Sequence, residues 1–200
     1  MAKLFPNNWL LFFRNGSSVF LGLIFFSSGM AKVYAENAFP GLIGPVWLEE
    51  KLTEFDLGMY ARFIGYAQVG IGFLLLTLRF STLGAVMLVP LVANIFMVTV
   101  SMNWTGTPYV LGFFIVVNAF VLWVDRKRLY PLIHLPMDLS PSHPPKSGKG
   151  HLCWILGAIA VWGSIQLSYW NFPLAYATIL LGLLLGFLSK IIDVNQLKNN

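Results

Sequence analysis

Charge is what this 200-residue chain has least of: Asp, Glu, Lys and Arg make up 10% of it, against 57% hydrophobic residues. A soluble domain carries about 25% charged residues, so the polar surface here is too small to cover a water-exposed fold. Lipid has to take the place of water. Cysteine is nearly absent as well. With Cys153 alone, the chain can form neither an internal disulfide nor a CxxC redox pair. Its three histidines, His134, His143 and His151, fall in or beside one hydrophilic stretch. No hydrophobic span therefore offers the paired axial histidines of a membrane haem, and beyond Asp138 the histidines lack the partners that a metal site needs. GxSxG, HExxH, a phosphate-cradling loop and a His–carboxylate constellation are all missing, which leaves nucleophilic catalysis without support. The net charge is +5, yet the basic residues do not gather into the aromatic-interleaved stripe of a nucleic-acid groove, so no nucleic acid is expected as a partner.

What is present is a succession of apolar runs, each near the roughly 20 residues that a helix needs to cross a bilayer core of about 30 Å. They cover Ser17–Tyr34, Tyr60–Leu78, Phe80–Ser101, Pro108–Val124, Leu152–Tyr169 and Phe172–Ser189. The expected fold class is an all-α membrane protein, a four-helix transmembrane bundle followed by a two-helix transmembrane hairpin. Residues 1–16 read as an interfacial segment, because Trp9–Phe13 is apolar and aromatic between Lys3 and Arg14; the alternative is a simple extension of the first span. A signal peptide ending near Val33, Tyr34 and Ala35 competes with both, but Lys32 stands where such a signal should be neutral. Residues 17–133 form the four-helix unit, 134–150 a Pro- and Gly-rich linker, 151–190 the hairpin and 191–200 a tail. Pro90 inside the third run removes one backbone donor, so a kink is expected there, with a proline tolerated in a membrane helix as the plainer alternative.

Lys3, Arg14, Arg79, Arg126, Lys127, Arg128, Lys146, Lys149, Lys190 and Lys198 fall on the side of the termini, and only Lys32, Lys51 and Arg62 on the other. The positive-inside bias then predicts a multi-pass protein of the cell inner (plasma) membrane with both termini cytoplasmic and the 134–150 linker inside.

Polar side chains within lipid are costly and mark candidate sites. At 1.5 Å per residue, Ser28 lies about 16 Å above the start of the first run and Lys32 about 6 Å higher; Gln68 and Asn118 lie about 12 and 15 Å below the outer starts of theirs, and Asn94 about 21 Å above the inner start of its own. Together with Arg62 at the outer surface, these residues form a candidate polar cluster at overlapping depths: Ser28, Lys32, Arg62, Gln68, Asn94 and Asn118. Glu36, Glu49, Glu50, Glu54 and Asp56 stand near enough in sequence to pair with its two cations. The plainer alternatives are interhelical hydrogen bonding for the amides and snorkelling for Lys32 and Arg62. Gly22, Gly29, Gly65, Gly70, Gly72, Gly182 and Gly186 read as helix-contact positions.

The run Ser28-Gly29-Met30-Ala31-Lys32, the segment FPGLIGPVWLEE (39–50) and the stretch IGYAQVGIGFLLLTLRFSTLGAVMLVPLVANIF (64–96) resemble the DoxX family. The similarity continues through TGTP (105–108) and NAFVLWVDRKRLYPLI (118–133), so it covers residues 17–133. The resemblance implies a four-helix membrane bundle. Through the small subunit linked to thiosulfate:quinone oxidoreductase that gave the family its name, it also implies an accessory or quinone-associated component of a membrane redox system, although many members have no assigned activity. Partners implied are the lipid bilayer, a quinone or another membrane subunit; cofactor and enzymatic status stay open. Where many members place a glutamate in the second span, this chain has Gln68, an amide with no titratable proton. A small-solute or ion carrier, or a membrane scaffold without ligand, remains as an alternative.

Overall fold

The computed structural model of the chain describes residues 7–44, 48–130 and 147–198. Among them the secondary structure is helical, without strands. Six helices are long and apolar enough to cross a bilayer, the architecture of a multi-pass membrane protein. They are α1 (Asn7–Val33), α3 (Gly58–Leu76), α4 (Ser81–Ser101), α5 (Thr107–Val124), α7 (Gly148–Ser168) and α8 (Phe172–Lys198). A 3-10 turn (Ala35–Asn37) and the short helix α2 (Leu48–Thr53) follow α1, and α6 (Arg126–Leu129) follows α5. The side on which α1 begins is called the N-terminal side below, and the opposite one the far side.

The six spans agree with the hydrophobic runs, but their ends do not. Residues 7–16, expected to lie at the interface, belong to one continuous helix with the first span, because nothing between Asn7 and Val33 breaks the backbone hydrogen bonding. Val33, Tyr34 and Ala35, where a cleavage site was considered, are all buried. The described end of the expected linker is not loose chain: Ser147 caps α7, its hydroxyl accepting from Gly150 N at 2.9 Å, and residues 148–150 form the first turn. Residues 134–146, with His134 and His143, lie outside the described residues. The expected tail from 191 continues α8 as far as Lys198. α4 runs unbroken through Pro90.

Glycine decides which helices touch. α1 and α3 run antiparallel with their backbones in contact, and a Cβ added at Gly29 would come within 2.7 Å of Gly65 O and Val69 N. One added at Gly22 would stand 2.6 Å from Leu76 N, and Gly72 meets the backbone of Phe26 in the same way. The spacing of seven residues on both helices keeps this seam on one face, where packing rather than hydrophobicity drives association in lipid. α7 and α8 close over Gly157 and Gly182, each of which would place a Cβ under 3.0 Å from the other's carbonyl.

One buried core joins α1, α3, α4 and α5 around Leu21, Leu75, Leu88 and Val121. A second joins α1 and α3 to α7 and α8 through Phe26, Met30, Val69, Phe73, Val161 and Ile165. The hairpin is also tied down by polar contacts at three levels. Trp154 Nε1 donates to Thr77 Oγ1 at 3.0 Å, Ala35 N donates to Ser168 Oγ at 3.1 Å, and Arg79 bonds both of its helices. Trp9 and Trp123 are exposed on the N-terminal side, and Tyr109, Tyr169 and Trp170 on the far side. Aromatic residues at both rims are what a bilayer interface favours.

Candidate functional site

On the far side, the helices diverge around a cleft of about 260 Å³. Its walls are apolar and aromatic, with Phe25 from α1, Ile64 from α3, Ile95 from α4, Phe114 from α5 and Trp104 from the α4–α5 loop. Six polar side chains stand in them: Ser28 and Lys32, one helical turn apart on α1, Gln68 on α3, and the hydroxyls of Thr99, Thr105 and Thr107 at the α4–α5 end. Lys32 Nζ donates to Ser28 Oγ at 2.7 Å and to Ser28 O at 3.0 Å. An ammonium has three N–H donors, so one is left over for the cleft. Among the described residues no carboxylate pairs with Lys32. Gln68 is buried, and its Oε1 has no hydrogen-bond partner among the described residues.

The loop after α1 covers this pair. Leu42 N donates to Ser27 Oγ at 3.3 Å, which lays the chain back along the end of α1. Gly44 follows at φ +108, and a Cβ there would stand 2.9 Å from Ser28 Oγ and 3.5 Å from Lys32 Nζ. Only glycine suits that backbone angle and that separation together. The opposite rim is the start of α5, where Gly106 (φ 91) is the N-cap and no side chain caps the helix. The positive end of the α5 dipole thus borders the cleft. Near the hairpin, Tyr34 is packed against Phe39 and Tyr176. Burial, with the Tyr176 phenol beside it, pushes its hydroxyl up to about 12, so it stays protonated at any physiological pH.

Of the six residues expected to cluster, the structure brings Ser28, Lys32 and Gln68 together. Arg62 is exposed and bonds Glu49, Nε to Oε1 at 2.6 Å, outside the cleft. Asn94 is exposed on α4 and does not line it. Asn118 is buried between α5 and α4, where Nδ2 donates to Ala85 O at 3.0 Å. That carbonyl is one residue before Val86, whose helical donor Pro90 cannot supply. Of the acidic residues between α1 and α3, Glu49 pairs with Arg62 and Glu54 with Lys51 at 3.2 Å, and none pairs with Lys32. Thr99, Trp104 and residues 105–107 line the cleft without having been singled out; the TGTP run at a span boundary was the available signal.

Two buried ion pairs stand on the N-terminal side. Arg14 of α1 binds both carboxylate oxygens of Asp125 at the end of α5, and Thr82 Oγ1 donates to the same carboxylate at 2.7 Å. Arg79, in the α3–α4 turn, donates through Nη1 to Asp193 Oδ2 at 2.5 Å and to Ser189 O at 2.8 Å, while Ser147 N donates to Asp193 Oδ1 at 2.9 Å. His151 Nδ1 lies 3.2 Å from Arg79 Nη2 and 2.9 Å from Ser147 O. These pairs fasten helix ends together.

In chemical terms the far-side cleft is a place to hold a molecule. Lys32 is the sole titratable side chain among the described residues that line it, and neither an acid–base pair nor an activated nucleophile stands there. No family model, no curated protein and no solved structure matches the chain.

Proposed function

We propose that this chain is a DoxX-like integral membrane protein that binds a small amphipathic molecule of the quinone class in its far-side cleft, as an accessory component of a membrane redox system. The observation that carries the reading is the polar head of a mainly apolar cleft: one unused N–H of Lys32 and the unpartnered Oε1 of Gln68, facing walls of Phe25, Phe114 and Trp104. A quinone and its quinol have the matching anatomy, since the flat ring fits between aromatic side chains, a quinone carbonyl accepts from Lys32 Nζ and a quinol hydroxyl donates to Gln68 Oε1. The uncapped start of α5 favours the same acceptors. Ligand pockets usually measure about 300–1,000 Å³. A cleft of about 260 Å³ therefore suits the ring, with the isoprenoid tail left in lipid.

In this reading residues 17–133 are the DoxX-like four-helix unit, the hairpin is an addition docked against α1 and α3, and the protein lies in the inner membrane with both termini cytoplasmic. The carrier alternative has less support. Below Ser28 and Gln68, the space between α1, α3, α4 and α5 is filled by Leu21, Leu75, Leu88 and Val121, each 0% exposed.

Titration of the purified protein in detergent with a short-tailed ubiquinone, followed as a rise in thermal stability, tests the reading. Saturable stabilisation is expected, weakened about tenfold or more by Lys32→Met or Gln68→Leu, since each removes a hydrogen bond from a desolvated site. Equal response of the wild type and both variants would remove the cleft from consideration.

A further inference from the structure

A second cleft, of about 540 Å³, opens on the N-terminal side between α1, the α3–α4 turn, α6 and α8. From Arg14 to Lys32 the axial distance along α1 is about 27 Å, so the two clefts lie at opposite faces of the bilayer core. Four cations line this one, Arg14, Arg79, Arg128 and Lys190, against two carboxylates, Asp125 and Asp193. Arg14 and Arg79 are matched by the two carboxylates. Arg128 stands 3.9 Å from Asp125, which Arg14 already occupies, and it donates to Thr82 Oγ1 at 3.0 Å with its side chain 35% exposed. Lys190 is exposed and has no bonded partner among the described residues. A third mismatch sits in the wall, where Arg79 Nε is buried without an acceptor. The cleft thus holds two positive charges in excess.

Surplus charge at the edge of a hydrocarbon core draws a counterion. The rest of the wall says which kind. Leu11, Leu83 and Val194 are exposed apolar side chains along the same cleft, and the exposed Trp9 and Trp123 mark this level as the interface. A free anion would gain nothing from an apolar wall, whereas a lipid phosphate brings acyl chains that cover it. Basic pockets between membrane helices take anionic headgroups for this reason. We propose that the cleft is a binding site for an anionic glycerophospholipid, its phosphate oxygens accepting hydrogen bonds from Arg128 and Lys190 and its acyl chains laid along Leu11, Leu83 and Val194.

Native mass spectrometry of the full chain in detergent, titrated separately with dioleoyl phosphatidylglycerol and dioleoyl phosphatidylcholine, tests this. Phosphatidylglycerol should be retained selectively, and Arg128→Gln with Lys190→Gln should weaken its retention about tenfold or more while leaving phosphatidylcholine unaffected. Because Arg128 also bonds Thr82, Lys190→Gln alone provides a second variant in which no internal contact is lost; it should reduce retention roughly threefold or more. Equal retention of the two lipids, or unchanged selectivity in both variants, would overturn the proposal. Competition by inorganic phosphate at the lipid's own concentration would assign the site to a free anion and would also overturn it.

Discussion

Replacing Arg79 by methionine keeps the length of the side chain and removes its charge from a place where the consequences can be counted. Asp193 is 5% exposed and would lose the cation that balances it, and Ser189 O would lose its 2.8 Å donor. Removing one partner of a buried pair costs about 3–5 kcal/mol, and an unmade hydrogen bond adds about 1 kcal/mol. One effect works the other way: Asp193 keeps the N–H of Ser147 at 2.9 Å. The balance is a loss of about 3 kcal/mol. Arg79→Met with Asp193→Leu should recover at least half of it, because a neutral apolar pair carries no stranded charge. Unfolding free energies measured in bicelles by steric trapping would give all four corners of this cycle. A single variant within about 0.5 kcal/mol of wild type, or a double variant no better than the single, would refute the reasoning.

Gly29→Leu should abolish stable assembly, since a Cβ at that position already meets Gly65 O at 2.7 Å and the rest of a leucine has no space; a monodisperse, heat-stable variant on size-exclusion chromatography would contradict the seam. Arg62→Gln should change neither stability nor ligand retention measurably, because its pair with Glu49 is exposed and screened. With Cys153 first replaced by serine, a cysteine at Asn37 should label with an impermeant maleimide in intact cells and one at Ser142 should not. The reverse pattern would invert the proposed orientation.

The six spans were legible because a hydrophobic run of about 17 or more residues has few other uses. Their ends were not, because helices continue past the hydrophobic boundary wherever hydrogen bonding allows. α1 begins at Asn7 among aromatic residues, and α7 begins at Gly148 because Ser147 caps it. Half of the polar cluster was legible for a similar reason. Ser28 and Lys32 are four apart and must share a helix face, whereas Asn94 and Asn118 were grouped by depth alone, which says nothing of direction around the axis. Leu88, Leu91, Val92 and Thr99 occupy the inner face of α4 and leave Asn94 outside it. Arg14 and Arg79 were counted as topology signals, and the missed clue was their opposites. Asp125 and Asp193 are isolated acids near the ends of helices on a basic side, where a carboxylate needs a partner before it can be buried.

In the proposed function the far-side cleft holds a quinone ring against Lys32 and Gln68. Photo-crosslinking with an azido-quinone, followed by peptide mapping of the full chain, tests it most directly. Adducts are expected only on Phe25–Lys32 of α1, Ile64–Gln68 of α3 and the Trp104–Phe114 rim, suppressed by excess unlabelled quinone and lost in Lys32→Met. Adducts spread over the lipid-facing residues, or concentrated on the N-terminal side around Arg14 and Arg79, would contradict it.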